Sequence, residues 1–325
     1  MKNDDLHRYL LQVLNKKIPE QTNLVETLID ILSMEKGAIY RRLRGEVPFT
    51  FFEVVNIAEK LDISLNNFIY TDSVQVDRFE LTIVDYVNMN ELDYKQWDDY
   101  ISLIGSVKNI PQSELAESSN VLPMTIYAKF DSLSKYYLFK YYYLLNESED
   151  RVSFSDMVVP DRLQRIYRTY FAASKNFART IYIWDNLIFR YLVNDIRFFS
   201  DIKLISAEDI QELQNDLLAL LDDIEEITLN GCFKETGKPV SFYISDINFD
   251  ADYSCVQIND FYMSHVRTFI LNSVASTDQS SFRKIKKWIY SLKKSSTLIT
   301  KSGSAFRVDF FEKQRKMISE LHPNN

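Results

Sequence analysis

The sequence predicts a mainly α protein with a small antiparallel β-meander near its C-terminus, an α+β arrangement. Three observations lead there. Six glycines and seven prolines in 325 residues are too few for an all-β or doubly wound chain, which needs turn residues about every ten positions. Apolar residues recur at helical spacing along most of the chain up to residue 228. Only beyond that point do short β-branched and aromatic runs gather between turn signals.

The first 71 residues read as five short helices. Leu6, Leu10, Leu11 and Leu14 give the first its apolar face, and Ile18-Pro19 ends it. Thr22 is the expected N-cap of a second helix with Val25, Leu28, Ile29 and Leu32 inside. Ser33-Met34 breaks the chain before a third helix over 35–44, which Gly45 closes. Thr50 caps a fourth, with Phe52, Val55, Ile57, Ala58 and Leu61 inward, and Ser64 opens a last turn through Ile69. The polar Thr71-Asp72-Ser73 is the expected domain joint.

Residues 76–229 are expected to form a helical regulatory and dimerisation domain. Helix is predicted over 76–106 with a break near Asn88-Met89-Asn90, then a Ser-rich loop from Pro111 to Pro123. The aromatic run from Tyr136 to Leu145 suits a helix buried on most sides, since Lys140 is its only basic residue and a base-stacking platform needs more. One or two long helices are predicted over 160–199, and Ser206-Ala207-Glu208-Asp209 opens another to about residue 228. Residues 230–325 are expected to fold as a small sheet with two helices. Its strands are predicted at Pro239–Ser245, Tyr253–Ile258 and Ser264–Leu271, its helices at 279–294 and 305–321.

An apolar content of 46% with 14% aromatics supplies a large packed core. The polar start Met1-Lys2-Asn3-Asp4-Asp5 is unlike a secretory signal, and no long charge-free window spans a membrane. Cys232 and Cys255 are far apart, and His7, His265 and His322 make no metal-ligand spacing. A cytoplasmic protein without metal or cofactor follows. Glycine-rich phosphate loops, nucleophile elbows and zinc motifs are missing, and the acidic pairs Asp98-Asp99 and Asp222-Asp223 read as solvated helix faces, so no enzyme activity is expected.

The net charge of −8 is unevenly spread. Residues 1–71 carry nine basic and ten acidic side chains, the remainder 29 and 36. Within the first part, Lys36, Arg41, Arg42 and Arg44 cluster, opposed only by Glu35 just before them. A local basic surface on an acidic protein suits targeted contact with phosphate rather than bulk adhesion.

The run from Leu28 to Gly45, with Ser33-Met34-Glu35-Lys36 at its turn, continues into Val54, Ile57, Ala58, Leu61 and Ser64-Leu65. It resembles the lambda-repressor-like (Cro/C1-type) helix-turn-helix family. The resemblance covers residues 5–71 and has Ser33 where that family often has glycine. It implies a bacterial transcription regulator that binds double-stranded DNA as a homodimer, with helix 35–44 entering the major groove. The candidate DNA-contacting residues are Lys36, Gly37, Tyr40, Arg41, Arg42 and Arg44, joined by Thr22 and Thr50, whose helix N-termini offer N–H groups to phosphate. The inner stripe is either Ile39 with Leu43 or Tyr40 with Leu43, and that choice decides which of Tyr40, Arg41 and Arg42 faces bases.

A C-terminal region several times larger than the reader suits dimerisation and the sensing of a small-molecule or protein effector. The alternative reading is a helical interaction protein, adaptor or antitoxin-like, with Arg41, Arg42 and Arg44 as a solvated face.

Overall fold

The computed structural model describes residues 3–18, 21–61, 63, 79–81, 83–146 and 152–321. The chain divides into two compact units, Met1–Val76 and Asp77–Asn325.

The first unit packs four described helices: α1 (Asn3–Lys17), α2 (Gln21–Leu32), α3 (Lys36–Leu43) and α4 (Phe51–Lys60). Leu10 and Leu14 of α1, Leu24, Val25 and Leu28 of α2, Ile39 of α3 and Ile57 of α4 form one buried cluster. Each such side chain contributes about 1.5–3 kcal/mol by leaving water. The turn between α2 and α3 places Ser33 at φ +52°, the left-handed conformation that glycine adopts most easily. The fifth helix expected from Ser64 lies outside the described residues.

The second unit overturns the expected fold class. Its centre is an eight-stranded mixed sheet of order β1-β7-β6-β5-β2-β3-β4-β8, so the protein is mixed α/β and not mainly α with a small meander. The strands are β1 (Glu80–Leu81), β2 (Ser113–Ser119), β3 (Arg179–Asp185), β4 (Val240–Ser245), β5 (Tyr253–Ile258), β6 (Phe261–Arg267), β7 (Ser273–Ser276) and β8 (Ser296–Leu298). The helices are α5 (Glu91–Gly105), α6 (Met124–Tyr127), α7 (Asp131–Leu145), α8 (Asp161–Ser174), α9 (Ile188–Asp201), α10 (Ala207–Asn230), α11 (Gln279–Leu292) and α12 (Ser304–Ser319). Strands β2, β3 and β4 run parallel, linked through helices, and every other pairing is antiparallel. Strands from 76–229 and from 230–325 therefore share one sheet, and the two regions form a single unit.

The differences from the expected elements have physical causes. The Ser-rich loop is β2, the strand at which the sheet changes from parallel to antiparallel. Ser and Glu are weak strand formers, so Ser113-Glu114-Leu115-Ala116-Glu117-Ser118-Ser119 carries no strand signal. Strand β3, placed inside a long helix, is apolar on both faces, and periodicity cannot separate such a strand from a buried helix. Helix α5 starts where the break near Asn90 was expected, because Asn90 Oδ1 accepts from the Leu92 N–H at 2.8 Å. Among the described residues of the second unit that precede it, Glu80–Leu81 form β1 and none is helical. Strand β4 pairs with β3 and β8, so the antiparallel meander consists of β5, β6 and β7.

Two layers cover the sheet. On one face Tyr182, Trp184, Phe242 and Ile244 meet α7, α9, α10 and α12 in the largest core. On the other face Ala116, Ile181, Ile183 and Cys255 pack against Phe282, Ile289 and Leu292 of α11. Helices α5 and α8 bring Ile104 and Ala173 onto Leu115 and Val256 on the first face. Cys232 and Cys255 are free thiols, the first half-buried and the second buried. Among the described residues no helix is long and apolar enough to cross a membrane.

Candidate nucleic-acid interface

Helix α3 is short because both of its ends are specified. The extended backbone of Glu35 starts it, and Gly45 at φ +76° turns the chain away after it. Ile39 is fully buried whereas Tyr40 is 37% exposed, so Ile39 with Leu43 forms the inner stripe. Wound at about 100° per residue, Lys36, Tyr40, Arg44, Gly37 and Arg41 then span one arc of roughly 140°. All five are exposed.

Arg42 does not join them. Its Nε and Nη2 donate to the two carboxylate oxygens of Glu53 on α4, at 2.9 and 2.7 Å. Both side chains are largely shielded, at 13% and 11% exposure. Hydrogen bonding to Glu53 raises the Arg42 pKa further. Burial pushes the Glu53 carboxyl up, but the bonds from Arg42 and from the Thr50 backbone outweigh it and hold the group below the usual range. Arg42 is thus a clamp between α3 and α4. His7 supports the same corner, its Nε2 lying 2.9 Å from the Arg42 carbonyl oxygen and its ring stacked on Phe49.

Thr50 is likewise occupied by structure. Its hydroxyl accepts from the Glu53 N–H at 3.3 Å while its own N–H donates to Glu53 Oε2 at 2.9 Å. That capping box satisfies two of the four free donors at the start of α4 and leaves those of Phe51 and Phe52. Thr22 sits within the first turn of α2, which begins at Gln21, and not at its cap; its side chain lies outside the described residues.

Three further residues shape this surface. Glu46 pairs with Arg44 (Nε–Oε1 2.8 Å) and approaches Arg41 (3.7 Å). These exposed pairs contribute little to stability, so both guanidiniums are available to a polyanion. Phe51 and Phe52, 74% and 80% exposed, stand together at the N-terminus of α4. The Thr-x-x-Glu spacing signals the capping box, but nothing in the sequence signals that the same Glu53 reaches Arg42. A comparison with known protein families, curated proteins and solved structures finds no match for this chain.

Proposed function

We propose that the chain is a sequence-specific double-stranded-DNA-binding transcription regulator, acting as a homodimer, with α3 as its reading helix. The observation that carries this reading is the single exposed arc holding Lys36, Tyr40 and Arg41 on an eight-residue helix, and Arg44 at its C-cap, backed by Ile39. Arginine bridges the two major-groove acceptors of guanine or clamps a phosphate, and Gly37 lets the duplex approach closely. Eight residues read only a few base pairs, so two copies spanning half-sites one helical turn apart supply the affinity one copy lacks.

The test is selection of bound duplexes from a random library by the full-length protein, followed by anisotropy titrations across a salt series. A roughly symmetric site is expected, with binding that weakens steeply as salt rises. Arg41→Ala and Arg44→Ala should each weaken it by about 1–3 kcal/mol if they touch bases, or reduce the salt slope by about one if they touch phosphate. Binding unchanged in both variants refutes the assignment of α3.

The exposed Phe51–Phe52 pair favours a second reading, in which the same surface docks a protein. That reading predicts no salt-dependent DNA binding, and loss of the partner complex on Phe52→Ser.

A further inference from the structure

In the second unit, two polar side chains of the central strand β2, Glu117 and Ser119, line a cavity. Register aligns Glu117 of β2 with Ser254 of β5, and Ser254 with His265 of β6, so the three form one row across the sheet. Trp97 and Tyr100 of α5, Tyr127 of α6 and Tyr170 of α8 border, with this row, a pocket of about 150 Å³. The rings hold one another: Trp97 meets Tyr170 edge-on at 5.6 Å, and Tyr100 meets His265 at 5.8 Å. The cavity lies toward the carboxyl end of β2, where the sheet passes from parallel to antiparallel pairing.

The carboxylates on the cavity wall outnumber its guanidinium. Glu117 is buried, and its one hydrogen bond among the described residues comes from Thr125 Oγ1 to Oε2 at 2.7 Å. Arg267 is committed elsewhere, its Nε on Asp252 Oδ2 at 2.7 Å and its Nη1 on the Ile270 carbonyl at 3.0 Å. Lys175 donates to the Thr125 carbonyl at 2.7 Å and lies over the Phe171 and Phe233 rings, outside the cavity wall. Burial pushes the His265 pKa down to about 4, so that ring is neutral near pH 7. Among the side chains that line the cavity, Glu117 and Asp252 face one guanidinium, that of Arg267, and Lys175 acts on Glu117 only from behind the wall. Burial pushes the Glu117 carboxyl up to about 7 although Arg267 and Lys175 act to lower it, so a cation bound against it would draw it toward its charged form.

We propose that this cavity binds a small organic cation, a primary alkylammonium of roughly six heavy atoms, with Glu117 Oε1 as counter-ion and the Trp97, Tyr100 and Tyr170 rings as its walls. Ammonium groups are held by carboxylates and by aromatic rings together, and the site offers both. A second cleft of about 390 Å³, bordered by Leu144, Leu145 and Phe269, shares Asp252, Arg267 and Ile270 with the cavity. The site belongs wholly to the second unit and stands whether or not the first unit contacts DNA.

Calorimetric titration of the full-length protein with butylammonium, and with butanol and butyrate as neutral and anionic controls of matched length, tests the assignment. Saturable binding of butylammonium is expected, at least about tenfold tighter than butanol, with no binding of butyrate. Glu117→Gln, nearly isosteric, should weaken butylammonium by about tenfold or more with an unchanged circular-dichroism spectrum. Should that variant fail to fold, Trp97→Leu removes one aromatic wall and should weaken binding in the same titration. Absence of saturable butylammonium binding overturns the proposal. So does equal binding of butanol, preferential binding of butyrate, or full binding by both folded variants.

Discussion

The two units treat charge in opposite ways. In the first, α3 carries its cations outward on one arc, and the shielded Arg42 is matched by Glu53 through two hydrogen bonds. In the second, Glu117, Asp252, Arg267 and His265 line one cavity, and the first of these makes no ion pair among the described residues. A paired buried charge holds helices in register, whereas an unmatched one costs stability and persists where something else supplies the match. The first arrangement suits an extended polyanion, and the second a small cation that can be enclosed.

The largest expected effect tests the first half of that contrast. Glu53→Ala strands Arg42 in a shielded position and should destabilise the first unit by about 3 kcal/mol, read as lost hydrogen-exchange protection within residues 3–61. The double variant Glu53→Ala/Arg42→Ala should recover part of the loss, because no unpaired charge remains. A small effect from Glu53→Ala would mean that the clamp is ornamental.

The second effect has the opposite sign. Glu117 in the folded chain titrates at about 7, above the ordinary value near ~4.3. The folded state therefore binds more protons than the unfolded state between those values, and stability falls as pH rises through them. His265, lowered to about 4, works against this, gaining stability from about pH 4 to its ordinary ~6.5. Comparing Glu117→Gln with the parent isolates the first contribution. The variant should melt higher at pH 8 by roughly 5 °C, corresponding to about 2 kcal/mol, and the advantage should vanish near pH 4. A variant that melts lower at pH 8 would mean that Glu117 is satisfied in the native protein.

The smallest effect refines the picture of α4. Thr50→Ala removes one half of the capping box and should cost about 1 kcal/mol, detectable in a denaturant titration. It should also loosen Glu53 and so weaken the Arg42 clamp.

The same contrast explains what the sequence revealed. The first unit is built from local signals: apolar spacing, a turn at Ser33 and a Thr-x-x-Glu cap each specify structure within a few residues. Its shape was therefore legible, but the pairing of Arg42 with a residue eleven positions away was not. The second unit depends on partners far apart in the chain, such as Ala116 opposite Cys255. Strand β2 looked like a loop because its polar side chains find partners only in the folded unit: Glu117 and Ser119 on the cavity, Glu114 on Lys286 and Tyr290. Glu117 and His265 gave no motif, since only the folded sheet aligns them.

The position of β2 also bears on synthesis. One of its edges pairs with β3, but the other waits for β5, which ends at Ile258, about 140 residues after Ser119. At about 5–20 residues per second, translation leaves that edge open for roughly 7–28 s. An unpaired strand edge recruits other chains unless charge or polarity discourages it. The glutamates and serines that hide β2 from a reader of the sequence are thus well suited to protect the nascent chain until its last partner emerges.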